Sequence, residues 1–278
     1  MKKIFLSHSA RTAGVSTQPG RGAAVRSLLG AASLTAFALS ASAQFVAYND
    51  SAYRADQYTF TPYITTYTID NTYSLPTSGF LKDAANSGAL LGVTATFSQF
   101  GSPKVELDTT YGGDNCAAGT DADTIFGGKV DLHGAQVYGT TGWYVDLTLS
   151  GLNPTMQYDF VTTANRNGNY PTRLTKYTLS GADEFLNESS AGATFGGATD
   201  ASTIFCTGGN TAAGYVARWT GIRPGEDGTI RIRAEATPSS NSGYGFDAFR
   251  LTEAAAVPEP TSLSLLLLGA LFLRRRKS

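Results

Sequence analysis

Few residues in this 278-residue chain have the chemistry to bind or react, and most of them fall in short loops. Asp114, Asn115, Asp121 and Asp123 crowd ten positions. Hard carboxylate and amide oxygens of this kind are what Ca2+ takes as ligands. The spacing lacks the glutamate that closes an EF-hand loop, so a solvated acidic loop competes with a metal site at Asp114, Asp121 and Asp123. No other cofactor is expected. Asn165, Arg166, Asn169 and Tyr170 form the best polar-aromatic loop, since amides and guanidinium groups bond sugar hydroxyls while a tyrosine ring stacks on a sugar face. Cys116 and Cys206 both lie beside glycine-rich turns. In an oxidising compartment they could pair, closing a loop of about 90 residues for up to roughly 4 kcal/mol in the chain-entropy picture. Two free thiols are the alternative.

Catalytic chemistry has little to work with. His8 and His133 are the only histidines, and with two cysteines they make no familiar zinc spacing. There is no G-x-S-x-G elbow to give His133 a nucleophile. The expectation is a non-enzyme with no catalytic residues. A polysaccharide hydrolase or lyase using two carboxylates stays open as an alternative, although no pair is singled out.

These loops need strands to hold them. Trp143, Val145, Leu147 and Leu149 alternate with Tyr144, Asp146 and Thr148. A Gly151-Leu152-Asn153-Pro154 turn then leads to Met156, Tyr158 and Phe160, two strands about a turn. Tyr215, Ala217 and Trp219 alternate next, followed by Thr229 to Ala234 with Ile230 and Ile232 on one face, and by Tyr244 to Leu251. Further strands are expected at Phe45 to Tyr48, Tyr58 to Ile69 broken at Pro62, Val93 to Phe97, Val105 to Leu107 and Lys129 to Leu132. No helical period runs through the middle beyond a possible turn at Phe80 to Ser87. Many short strands with frequent turns predict an all-β fold, a jelly-roll-like β-sandwich over residues 44–253.

The ends read differently. Residues 1–43 carry Lys2, Lys3, Arg11, Arg21 and Arg26 without an acid, then an apolar stretch, then small residues at Ala41 and Ala43. This predicts a secretory signal peptide cut by signal peptidase before Gln44. A buried N-terminal helix is the bland alternative. Residues 254–278 hold Val257-Pro258-Glu259-Pro260 within the motif 257–262, an apolar run 263–273, and Arg274, Arg275, Arg276 and Lys277. The basic stop should stay cytoplasmic, which leaves the middle outside the inner membrane. With the ends removed, residues 44–253 contain 12 basic and 21 acidic residues, a net charge of −9 against −1 for the whole chain. That surface opposes a nucleic-acid partner and favours solubility outside the cell.

Two resemblances follow. The order Pro-Glu-Pro, hydrophobic helix, arginine-rich terminus resembles the PEP-CTERM sorting signal of Gram-negative, exopolysaccharide-producing bacteria. It implies processing by an exosortase, transient inner-membrane insertion, and delivery to the cell surface, outer membrane or extracellular matrix. The apolar run of 11 residues spans roughly 16 Å of helix against a hydrocarbon core of about 30 Å, which suits a temporary handle. A retained C-terminal anchor is the alternative. Leu149 to Pro154, Tyr158-Asp159-Phe160 and Ala164-Asn165-Arg166, followed by Gly228 to Ile232 and Tyr244 to Leu251, are similar to extracellular β-sandwich modules related to carbohydrate-binding domains. The similarity covers about residues 140 to 252. Together they imply an adhesive or structural protein of exopolysaccharide or biofilm, or alternatively a carbohydrate-binding module with a defined glycan site.

Overall fold

The computed structural model describes residues 45–51, 65–66, 77–101, 109–138, 142–240 and 242–254. The residues of the expected signal-peptide cleavage site, Ala41, Ala43 and Gln44, those of the expected sorting motif and basic stop, and the strand expected at Val105 to Leu107 lie outside the described residues, as does most of Tyr58 to Ile69.

In chain order the strands are β1 (Phe45–Asp50), β2 (Thr65–Thr66), β3 (Thr77–Asp83), β4 (Ala89–Phe100), β5 (Thr109–Tyr111) and β6 (Gly134–Tyr138). They continue with β7 (Tyr144–Ser150), β8 (Gln157–Thr163), β9 (Leu174–Ser180), β10 (Ala182–Asn187), β11 (Ser202–Cys206), β12 (Ala217–Pro224), β13 (Ile230–Ala236), β14 (Gly243–Tyr244) and β15 (Ala248–Ala254). Two short helices, α1 (Asp121–Phe126) and α2 (Asn210–Ala213), interrupt them. One six-stranded sheet runs β10-β12-β8-β15-β1-β2, a second runs β11-β9-β13-β7-β4-β3, and β14-β6-β5 form a small third. The two large sheets are antiparallel apart from the β1–β2 pair and pack as a sandwich.

Alternation builds the core. On β7, Val145, Leu147 and Leu149 are fully buried, and across the ladder so are Ile230, Ile232 and Ala234 of β13. The first sheet answers with Ala47, Phe160, Ala217, Trp219, Phe249 and Leu251. Rings fill the core: Phe160 stacks on Phe249 within the first sheet at 5.7 Å, and Phe97 of the second sheet reaches across to Phe249 at 6.4 Å and meets Phe246 edge-on at 5.5 Å. Each such ring withdrawn from water contributes about 1.5–3 kcal/mol. The turn after β7 needs Gly151, whose φ of 82° is left-handed and whose missing Cβ would stand 2.4 Å from the Gly92 carbonyl.

The outer face of the second sheet stays wet and carries a ladder. Arg233 grips Asp146 with both arms, at 2.7 and 2.8 Å, and lies 3.5 Å over the Tyr144 ring, which stacks in turn on Phe100.

The outer face of the first sheet is different, because the segment between β5 and β6 folds back over it. Tyr48, Val161 and Val216 on that face pack with Cys116, Ala122, Phe126, Val130 and Leu132 in a second apolar cluster. That cover explains why residues 160–163 of β8 are buried in succession instead of alternately. It also corrects two expectations. Asp121 to Phe126 is helical, started by Thr120, whose hydroxyl accepts from the Asp123 amide. Lys129 to Leu132 is no strand; Lys129 and Val130 close the helix by bonding back to the Phe126 carbonyl. Phe80 to Ser87 divides evenly: Phe80 to Asp83 end β3, and a single 3-10 turn at Ala84–Asn86 follows, capped by Ser87.

Candidate functional site

The loops that cap one end of the sandwich, 112–133, 163–170 and 207–216, hold most residues that the sequence singled out. Their anchor is a buried acidic knot. Asp247, at the entry to β15, is fully buried; its Oδ2 accepts from the Asn165 amide at 2.6 Å and its backbone N–H donates to the Thr163 carbonyl. Asp131 is equally buried and accepts from both the amide and Nδ1 of His133, at 2.9 and 2.6 Å. The Asp131 amide donates to Oδ2 of Asp50. One oxygen each of Asp131 and Asp247 is buried without a hydrogen-bond partner. Burial first, and then the negative charge of Asp131, push the Asp247 carboxyl well above the usual carboxylate range; the Asn165 amide and Arg166 pull the other way.

His133 is held between Asp131 and, at 3.6 Å, Asp114.

The three carboxylates of the expected Ca2+ site do not converge. Asp114 accepts from the Asn115 amide and from Asn167 Nδ2, Asp121 from the Ser190 hydroxyl, and Asp123 from the Gly119 amide. Asp121 and Asp123 stand two apart on the first turn of α1, a spacing that points side chains to different faces. Among the described residues no group of three or more His, Cys, Asp or Glu side chains could hold a metal ion.

The expected disulfide is not formed: Cys116 and Cys206 are both free. Cys116 is buried against the Asn210 carbonyl, whereas Cys206 ends β11 and reaches the Tyr170 carbonyl at 3.5 Å. Burial, with Asp247, Asp123 and Asp114 nearby, pushes the Cys116 thiol up to about 12.

The glycan-contact loop divides. Asn165 is fully buried and spends its Oδ1 on the Asp114 amide, so it cannot reach a surface ligand. Arg166 is half-buried, while Asn169 and Tyr170 face solvent. The Tyr170 ring is 39% exposed, but Arg173 already covers one face at 4.0 Å and also bonds the Tyr244 hydroxyl.

A cleft that the sequence reading missed lies beside this loop cluster. It is lined by Asp121, Thr124 and Ile125 of α1, by Glu188 just after β10, and by Val216 and Arg218 at the start of β12, and encloses about 170 Å³. Its walls are fixed. The Ser190 hydroxyl donates to Asp121 at 2.5 Å and accepts from the Val216 amide at 2.9 Å, and the Ala122 amide donates to the Gly214 carbonyl. Gly214, left-handed at φ 56°, leaves room for Thr120, which a Cβ would approach to 2.1 Å. Arg218 lies 3.7 Å from Glu188, yet its Nε is buried with no hydrogen-bond partner. The residues are spread over positions 121 to 218, and their only sequence signal is the outward register of Arg218 opposite Val161.

No family model matches the chain, and no curated protein matches it. Among solved structures it is similar to an exo-beta-1,3-galactanase from Phanerochaete chrysosporium, with galactose bound, at 10% identity over 62% of this chain and a TM-score of 0.24. The similarity spans 36% of that enzyme, about a third of its length, and a likeness this slight carries no weight for function.

Proposed function

We propose that this is an exported, non-enzymatic protein of the cell surface or extracellular matrix, sorted by its Pro258-Glu259-Pro260 tail and adhering to exopolysaccharide through its β-sandwich. The observation that carries the reading is the joining of unlike parts in one chain: a basic leader ending in Ala41-Ser42-Ala43, an acidic sandwich, and an apolar run stopped by Arg274 to Lys277. Signal peptidase and an exosortase are the partners this implies, with the inner membrane a passing station. No described helix is long and apolar enough to cross a membrane.

Adhesion, as opposed to catalysis, is supported by how the acids are used. Most carboxylates in the loop cluster are committed to backbone amides, hydroxyls or His133, which makes them structural partners instead of free acids and bases. The test is co-sedimentation of the exported protein with purified matrix polysaccharide. Retention without release of reducing sugar supports the reading; reducing-sugar release would replace it with the hydrolase alternative, and failure to be retained would remove the adhesive role.

A further inference from the structure

We propose that Asn167 is a site of spontaneous covalent modification: its side chain cyclises onto the Gly168 amide and reopens as aspartate or isoaspartate, which unlatches the loop carrying Tyr170 from the loop carrying Asp114. The inference stands apart from the adhesive reading. Asn167-Gly168 is the one Asn-Gly pair in the chain. The deprotonated Gly168 nitrogen attacks Asn167 Cγ; a C–N bond forms, the Cγ–Nδ2 bond breaks and ammonia leaves. Water then opens the five-membered succinimide at either carbonyl, so one water is consumed, one ammonia is lost and one carboxylate is gained. Attack needs glycine at the second position, because a side chain there would crowd the approaching carbon and restrict the backbone. Gly168 is required in this loop for a separate reason: its φ is 150°, and a Cβ would stand 2.7 Å from the Tyr170 ring.

The fold leaves both reacting groups open. Asn167 and Gly168 are exposed and belong to no strand or helix, and among the described residues the Gly168 amide donates no hydrogen bond. The Asn167 side chain is held only by an exposed bond from Nδ2 to Asp114 Oδ2 at 3.1 Å, which water can replace. Comparable pairs are protected. At Asp227-Gly228 the glycine amide donates to the Gly225 carbonyl at 2.9 Å, and Asp227 Oδ1 accepts from the Thr229 amide at 3.0 Å. Asn153 precedes a proline, which has no N–H to lose, and Asn165 is fully buried ahead of Arg166.

The product falls where it matters to the loop pair. Two bonds join the loops beside Asn167: its own amide donates to the Gly112 carbonyl at 2.7 Å, and the Asp114 amide donates to Asn165 Oδ1 at 2.9 Å. Modification turns the donor that faces Asp114 into a second carboxylate, so attraction becomes like-charge repulsion within a domain already at −9 over residues 44–253. An isoaspartyl link also inserts the Asn167 β-carbon into the main chain. That lengthening lies between Asn165, which is anchored to Asp247, and the exposed Tyr170, whose ring packs on Gly168 and Arg173.

The experiment is timed incubation of the folded, exported protein at mildly alkaline pH, followed by peptide mapping. Deamidation is read as a mass gain of about 1 Da, and isoaspartate by enzymatic methylation. Asn167 is expected to change first, about tenfold faster than the exposed Asn115 or Asn169, whose following residues carry side chains, and faster as pH rises because the attacking nitrogen must lose its proton. Asn167→Gln keeps the donor to Asp114 but must close a six-membered ring, so it should fold normally and stay unmodified over the same period. The aged form, separated by its extra negative charge, and Asn167→Asp should both raise amide exchange in 112–115 and 165–170 by about threefold or more and leave β7 unchanged. In Asn167→Asp that rise should shrink at high salt. Earlier modification at another asparagine would overturn the assignment, as would modification of Asn167 only in denaturant. Unchanged exchange in both the aged form and Asn167→Asp would overturn the unlatching. Neither readout involves polysaccharide, so failure here leaves the proposed function standing.

Discussion

Replacing Ser190 by alanine tests whether α1 is fixed to the sheet as described. The side chain is 5% exposed, and its hydroxyl works twice, accepting from the Val216 amide and donating to Asp121. Deleting it leaves a buried N–H unpaired, at about 1–3 kcal/mol, and removes a bond to a charged acceptor, worth about 1 kcal/mol because Asp121 is exposed and regains water. The expected loss is therefore about 2–4 kcal/mol. For a domain near 200 residues that lowers Tm by roughly 4–16 °C. Urea unfolding of Ser190→Ala, Asp121→Ala and the double variant separates the two contributions. The double variant should match Ser190→Ala alone to within about 0.5 kcal/mol, leaving a coupling near 1 kcal/mol. Amide exchange in α1 should rise by more than in β7, since only the helix loses its tether. A loss below about 0.5 kcal/mol for Ser190→Ala, or strict additivity, would refute this account of the cleft wall.

Other outcomes follow from the same geometry. Because burial raises the Asp247 carboxyl above 3.8, the folded state holds its proton to higher pH than the unfolded state; stability should fall as pH rises from about 4 through the raised value, and Asp247→Asn should flatten that slope in urea midpoints between pH 4 and 8. A midpoint that rises with pH and is unchanged in the variant would contradict it. Asp146→Ala removes the two-armed grip on Arg233 at a half-wet site and should cost about 1–2 kcal/mol in thermal unfolding, less at high salt. Alkylation in denaturant without reductant should add two labels by mass, since both thiols are free, whereas in the native protein Cys116 should react far more slowly than Cys206; no labels would restore the disulfide.

The sandwich was legible where one side of a strand meets the core and the other meets water. Trp143 to Leu149 and Ile230 to Ala234 alternate, and both are strands. The run β9 to β11 escaped notice because its inward positions include Thr175 and Thr203, polar residues whose hydroxyls are satisfied by Tyr244, Thr207, Asn187 and Ser189 only in the folded protein. Helix α1 was hidden for another reason. Six residues carry less than two helical turns, and Ala122 with Phe126 reads as a period only once the sheet beneath them is known. The site residues divide in the same way. Asn165, Asp114 and His133 have the right types for ligand contact, but Asn165 is taken into the scaffold by Asp247 and by the Asp114 amide, both far away in sequence, and His133 by Asp131, two positions before it. Arg218 and Glu188 drew no attention as a pair because their meeting depends on β10 and β12 being neighbours.

The proposal as a whole turns on processing, and the intact mass of the protein recovered from the cell surface or medium tests it most directly. The account predicts a chain beginning at Gln44 and ending near Pro258 to Pro260, with the apolar run and basic stop removed. A mass that retains Arg274 to Lys277, or one that still includes residues 1–43, would contradict it.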